Sequence, residues 1–148
     1  MKFKVQLAHN DETIQRIIQL RYLILRQDWQ QSIESATDEL EATSYNAYIE
    51  NENTDIIACG RLQINTNNIG QIRFMAVAKS EQGKGYGEKI LQFLEEKAKL
   101  LSLEVIELQA RENALIFYEK QGYQMVEKTF SLWGQIQHFL MSKKLIGL

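Results

Sequence analysis

The sequence predicts a mixed α/β (α+β) fold in a single domain spanning residues 1–148, and three observations predict it. The hydrophobic period switches along the chain between the alternation of strands and the three-to-four spacing of helices. The length of 148 residues suits one domain with one sizeable core. Finally, a glycine cluster, Gly83, Gly85 and Gly87, stands between a strand-like run and an amphipathic helical run, as a strand-to-helix junction requires.

Met1–Leu7 alternates polar with apolar residues and reads as a first strand; it lacks the long apolar stretch of a signal peptide. Asn10 can cap a helix whose first turn carries Asp11 and Glu12, and Ile14, Ile17, Ile18, Tyr22 and Leu25 recur at helical spacing to about Arg26. From Gln27 to Thr43 the pattern weakens into a polar stretch with Trp29, Glu34, Asp38, Glu39 and Glu41, where a short second helix is expected. Strands follow at Tyr45–Glu50, Ile56–Ile64 and Gln71–Val77, separated by turn compositions rich in asparagine, and three such strands with short links read as an antiparallel meander.

Ile90, Leu91, Leu94, Ala98 and Leu101 then form one apolar stripe on a helix of about four turns, with Lys89, Glu95, Glu96 and Lys99 outside it. Val105–Ala110 is a further strand and Asn113–Gln121 a short helix, with Gly122 suited to stop it in the left-handed conformation. Gln124–Trp133 and Ile136–Lys143 are expected to be the last strands, with Gly134 in their turn.

Composition excludes several classes. A formal charge of −2 gives no broad basic field for nucleic acid. No run is long and apolar enough to cross a bilayer, so no membrane partner and a cytoplasmic location are expected. Cys59 is the only cysteine, which rules out an intrachain disulfide and the paired-cysteine zinc motifs; no metal is expected, and Cys59 reads as a buried small side chain.

The chemistry concentrates in Gln82-Gly83-Lys84-Gly85-Tyr86-Gly87. Glycines at alternate positions free the backbone and clear side chains from the amides, and the helix that starts there offers N–H groups and a positive dipole end to a phosphate. Lys84 and Lys89 add charge nearby, although the same glycines would also serve a plain tight turn. A P-loop needs Ser or Thr after Gly-Lys, whereas Gly85 follows Lys84. A dinucleotide fingerprint needs glycine at the position of Glu88.

The loop resembles the coenzyme A loop of the GCN5-related N-acetyltransferases (GNATs), Gln/Arg-x-x-Gly-x-Gly/Ala, at every specified position. Arg73-Phe74-Met75-Ala76-Val77 resembles the family strand that splays from its neighbour and offers backbone groups to the pantetheine and thioester. Ala114–Tyr123 is similar to the family segment Ala-x-x-Phe-Tyr-Glu-Lys-x-Gly-Phe/Tyr. More loosely, Leu20-Arg21, Arg26-Gln27, Asp38–Ala42 and Ile136–Met141 resemble the ElaA-like branch. The resemblance implies a mostly antiparallel sheet flanked by helices, with a splayed central strand pair, and transfer of acetyl from acetyl-coenzyme A to the amine of a small molecule or peptide. It further implies that Met75, Ala76, Val77, Gln82, Gly83, Lys84, Gly85, Tyr86, Gly87, Asn113 and Phe117 meet the coenzyme and that Tyr118 is the general acid. His138 is a candidate base on chemical grounds, with an acidic residue or water as alternatives. Where many relatives carry Asn or Gln at the start of the second motif, this chain has Arg111, with Asn113 shifted along. A homodimer through the C-terminal strands is common among such proteins. The rival readings are a non-catalytic coenzyme A-binding module and an ATP-binding loop.

Overall fold

The computed structural model describes residues 3–145. The chain packs as two compact units, Met1–Gln63 with Ile72–Glu96, and Ile64–Gln71 with Lys97–Leu148. The fold is mixed α/β, and every strand pairing given below is antiparallel.

In the first unit, β1 (Gln6–Leu7) is shorter than the alternation predicts, and Met1 and Lys2 of that expected strand lie outside the described residues. It pairs with β2 (Tyr45–Glu50), which pairs in turn with β3 (Ile56–Ile64). β4 (Ile69–Val77) starts two residues before the predicted Gln71. Helix α1 (Asp11–Arg21) begins as expected, with the Asn10 side chain accepting from Thr13 N–H at 2.8 Å. Its buried Ile17 and Leu20 join Tyr48, Cys59 and Ala76 in one apolar core. Cys59 is fully buried, and that burial pushes its thiol up to about 11, so it stays a protonated, inert small side chain at neutral pH.

Beyond Arg21 the helix widens into one π turn, Tyr22–Arg26, followed by a 3-10 turn that ends on left-handed Gln30. In an ideal α-helix, side chains five apart diverge by about 140°; a π turn brings them back toward one face. Arg21 and Arg26 are such a pair, and both are buried. The second helix expected between Gln27 and Thr43 is absent: Ile33–Ala36 and Glu41–Thr43 form single 3-10 turns. The segment instead bends to deliver carbonyls to buried guanidiniums, Ala36 O to Arg21 and Ser35 O to Arg26. This tertiary demand outweighs a weak local helical preference.

Helix α2 (Tyr86–Leu100) has the four turns expected of it. It approaches β3 very closely at Gly60, where an added Cβ would stand 2.5 Å from Met75 Sδ, 2.7 Å from Ile90 Cγ2 and 3.2 Å from Leu94 Cδ1. Residues on β3 therefore alternate, with Cys59 in the α1 core and Gly60 under α2.

In the second unit the strands lie in the order β5 (Val105–Arg111), β7 (Ile136–Lys144), β6 (Gln124–Leu132). Ile106, Leu108 and Ala110 face inward from β5, and the register sets Arg111 opposite His138. β6 is largely exposed, and two register shifts interrupt its pairing with β7. Helix α3 (Leu115–Lys120) follows a 3-10 turn at Glu112–Ala114, so the predicted Asn113–Gln121 helix is regular only in its middle. Gly122 ends it with φ +94°, while Tyr123 N–H donates to Tyr118 O at 3.0 Å, the Schellman closure that the glycine predicts.

Candidate active site

Five residues after β4 ends, Gln82 folds back so that its Nε2 donates to Val77 O at 3.0 Å, tying the loop to the strand end. Gly83 and Gly85 have φ of +80° and +87°, conformations that glycine adopts without steric cost. A Cβ built on Gly83 would meet nothing within 4 Å, so the backbone there lies open. Tyr86 opens α2 and is buried against Phe3, with ring centroids 6.3 Å apart. Lys84 is held at 3.1 Å from Glu81. The first unit thus brings Met75, Ala76, Val77 and all of residues 82–87 onto one strand end, loop and helix start. By helix geometry the first amides of α2 have no partner within the helix. An open, positive-φ loop ahead of a 15-residue helix is a cradle for an anion.

The second unit holds Asn113, Phe117, Tyr118 and His138. Asn113 is exposed, Phe117 half-buried, and Tyr118 buried. The Tyr118 ring meets Phe117 edge-on at 5.0 Å and Tyr123 at 5.8 Å. Burial raises the Tyr118 pKa well above that of an ordinary phenol, and the charge of Arg111 partly offsets the rise. At neutral pH the phenol therefore keeps its proton. His138 is buried and stacked on Phe130 at 4.6 Å. Its Nδ1 lies 2.9 Å from Ile136 O; a carbonyl can only accept, so Nδ1 carries the proton and Nε2 is the basic nitrogen.

A constellation that the sequence did not expose lies around Phe74 in β4. Phe74 has φ +56°, an uncommon conformation for a bulky residue, and its ring is met by the guanidiniums of Arg21 at 4.5 Å, Arg73 at 4.6 Å, Arg61 at 4.9 Å and Arg26 at 5.8 Å. Glu41 accepts from both Arg21 guanidinium nitrogens at 2.7 and 3.1 Å, and Asp38 accepts from both of those of Arg61 at 2.9 Å. Asp38 also pairs with Arg73 at 2.7 Å. Burial would raise the Glu41 carboxyl, but the Arg21 bonds and charge, with help from Asn46 and Thr37, hold it at about 2. Asp38 is lowered as well: Arg61, the Leu40 N–H and Arg73 outweigh its burial. Carboxylates so depressed are poor proton acceptors. The arginines lie scattered at positions 21, 26, 61 and 73; the one local hint was a charge set among apolar residues in Gly60-Arg61-Leu62.

Among the described residues, no group of three or more His, Cys, Asp or Glu side chains is placed to hold a metal ion, and no helix is long and apolar enough to cross a membrane.

The family model described as "Acetyltransferase (GNAT) family" matches residues 12–123. Among solved structures, a presumed N-acetyltransferase from Lactobacillus plantarum superposes with a TM-score of 0.86 at 19% identity, covering 97% of this chain and 99% of that one. An aminoglycoside 6'-N-acetyltransferase complexed with coenzyme A gives 0.80 at 13% identity, over 97% and 98% of the two chains. Escherichia coli ElaA gives 0.80 at 15% identity, over 95% and 99%. At these identities the superpositions speak to the fold.

Proposed function

Because the chain belongs to the GNAT acetyltransferase family, we propose that it moves the acetyl group of acetyl-coenzyme A directly onto a primary amine, with residues 1–148 working as one catalytic domain. The family match runs through residues of both compact units, which supports the single-domain reading. The observation that carries the proposal is the loop at Gly83 and Gly85, at positive φ, open at Gly83 and leading into α2, where a pyrophosphate would be received by backbone amides. The solved complex of an aminoglycoside acetyltransferase with coenzyme A, which shares this fold, points to the same ligand.

The coenzyme supplies an acetyl group activated as a thioester. In the proposed division of labour, backbone N–H groups near Ala76 and Val77 meet the oxygen that gains negative charge. Tyr118 gives its phenolic proton to the departing sulfur, and its raised pKa keeps that proton available at neutral pH. Arg111 lies in the region where many family members place an Asn or Gln, and its charge lowers the cost of the tyrosinate left behind. The amine proton passes to His138 Nε2 or to water. If His138 is the acceptor, His138→Gln should abolish the rise of kcat/KM with pH on the acidic side; an unchanged rise removes it from this role.

Two rivals use the same loop: a non-catalytic module that only binds coenzyme A, and an ATP-binding protein. Titration calorimetry with acetyl-coenzyme A, coenzyme A and ATP, followed by thiol release over a panel of amines, separates them. Coenzyme A binding with amine-dependent thiol release is the expected result. Binding without release from any amine would favour the module, and ATP binding without coenzyme A binding would overturn the assignment.

A further inference from the structure

The arginine cluster is richer in positive charge than its own carboxylates balance. Even leaving Arg26 aside, the guanidiniums of Arg21, Arg61 and Arg73 share two carboxylates, those of Asp38 and Glu41. Arg21 and Arg61 have fully buried side chains, and their Nε groups make no hydrogen bond among the described residues. Buried like charges held together without full compensation are costly. Arg73 registers that cost: burial and the neighbouring Arg61 and Arg21 charges together outweigh Asp38, so its pKa is lowered.

The cluster has an open edge. The Arg73 side chain is 38% exposed, against 0% for Arg21 and Arg61. The left-handed turn at Phe74 lets Arg73 lie over the ring of its own neighbour, whereas regular pleating would send the two to opposite faces. Arg73 also shares β4 with Ala76, three residues on, so its backbone lies within about 10 Å along the strand of the amides assigned to the oxyanion.

We propose that Arg73, at the open edge of this cluster, holds an anionic group of the amine acceptor, and that the acceptor is therefore a small amine carrying its own carboxylate or phosphate. This rests on the acetyl-transfer reading above and adds the substrate class. A planar, always-charged guanidinium with neighbouring positive charge behind it suits either oxyanion, and an incoming anion relieves the repulsion within the cluster.

The test uses matched small amines in the thiol-release assay: β-alanine against β-alaninamide, and phosphoethanolamine against ethanolamine. Wild-type protein should turn over at least one anionic member with kcat/KM about tenfold or more above its neutral partner, mainly through KM. Whether β-alanine or phosphoethanolamine gains more distinguishes carboxylate from phosphate. Arg73→Gln should collapse the preference to near unity, while Arg73→Lys, which keeps the charge, should retain much of it. Neutral amines that equal or exceed their anionic partners, or a preference that survives in Arg73→Gln, would overturn the proposal. Thermal melting with saturating coenzyme A gives an independent readout. β-Alanine or phosphoethanolamine should raise the wild-type Tm, ethanolamine should not, and the shift should vanish in Arg73→Gln. No anion-dependent shift in wild-type protein overturns the proposal even if none of the four amines is acetylated. Failure to bind coenzyme A at all would instead count against the function reading.

Discussion

Replacing Tyr118 with phenylalanine is expected to lower kcat by about 100-fold or more while leaving the affinity for coenzyme A within about twofold. The substitution deletes one oxygen and keeps the ring that packs edge-on against Phe117 and Tyr123, so the fold of α3 should survive. What disappears is the phenolic proton proposed to reach the departing sulfur. Burial pushes the Tyr118 phenol well above the ordinary range, and the Arg111 charge only partly opposes it. The phenol is therefore fully protonated at neutral pH, and, on the proposed role, wild-type kcat should not fall from tyrosine ionisation until strongly alkaline pH. Steady-state thiol release and calorimetric titration read the two quantities separately. An unchanged kcat would refute the role of Tyr118, and a loss traced entirely to coenzyme affinity would reassign it to binding.

The largest effect on stability is expected from Arg21→Met, a loss of about 3–5 kcal/mol at neutral pH. Arg21 is fully buried and donates to Glu41, to Ala36 O at 2.9 Å and to Asn46 Oδ1 at 2.6 Å. Its removal leaves a mostly buried carboxylate with Arg61, Thr37 and Asn46 as remaining partners. A signature in pH separates this from a simple packing defect. In the folded chain Glu41 sits at about 2 against an ordinary 4.5, so between those values the unfolded chain binds the proton and the folded chain does not. Stability from this group is complete above about pH 4.5 and drains away as pH falls toward 2. In Arg21→Met the folded carboxyl rises toward or past its ordinary value, and the acid-side slope should flatten. Urea unfolding at pH 7, 5 and 3 measures both effects; an acid slope identical to wild type would show that Arg21 does not set the Glu41 charge.

Much of the molecule was legible because its signals are local. The strand Ile56–Ile64 and the helix after the glycines follow from hydrophobic period, and the left-handed stop at Gly122 follows from the one residue type that tolerates it cheaply. The loop of alternate glycines was legible for the same reason, since six consecutive residues build its positive-φ turn. The Phe74 constellation could not be read, because its arginines come from α1, its π turn, β3 and β4, and only tertiary structure brings residues 21, 26, 61 and 73 to one ring. The expected helix between Gln27 and Thr43 failed on the same account, since its carbonyls and carboxylates are recruited by those arginines. Asp38 and Glu41 stand in sequence only as acids of a polar stretch and are ion-paired, mostly buried groups in the fold.

Gly60 turns a missing carbon into a ruler. Met75 could swing its thioether aside for a methyl group, but Ile90 meets it at 2.7 Å with Cγ2, a branch close to its own backbone and stiff about χ1, so the methyl would press α2 away from β3. The helix start would rise with it, carrying the amides beyond Gly85 to a new altitude above the sheet. The height of the anion cradle is therefore gauged at a residue that no ligand reaches, and graded bulk at position 60 offers a way to detune the cradle without altering a single atom of the loop.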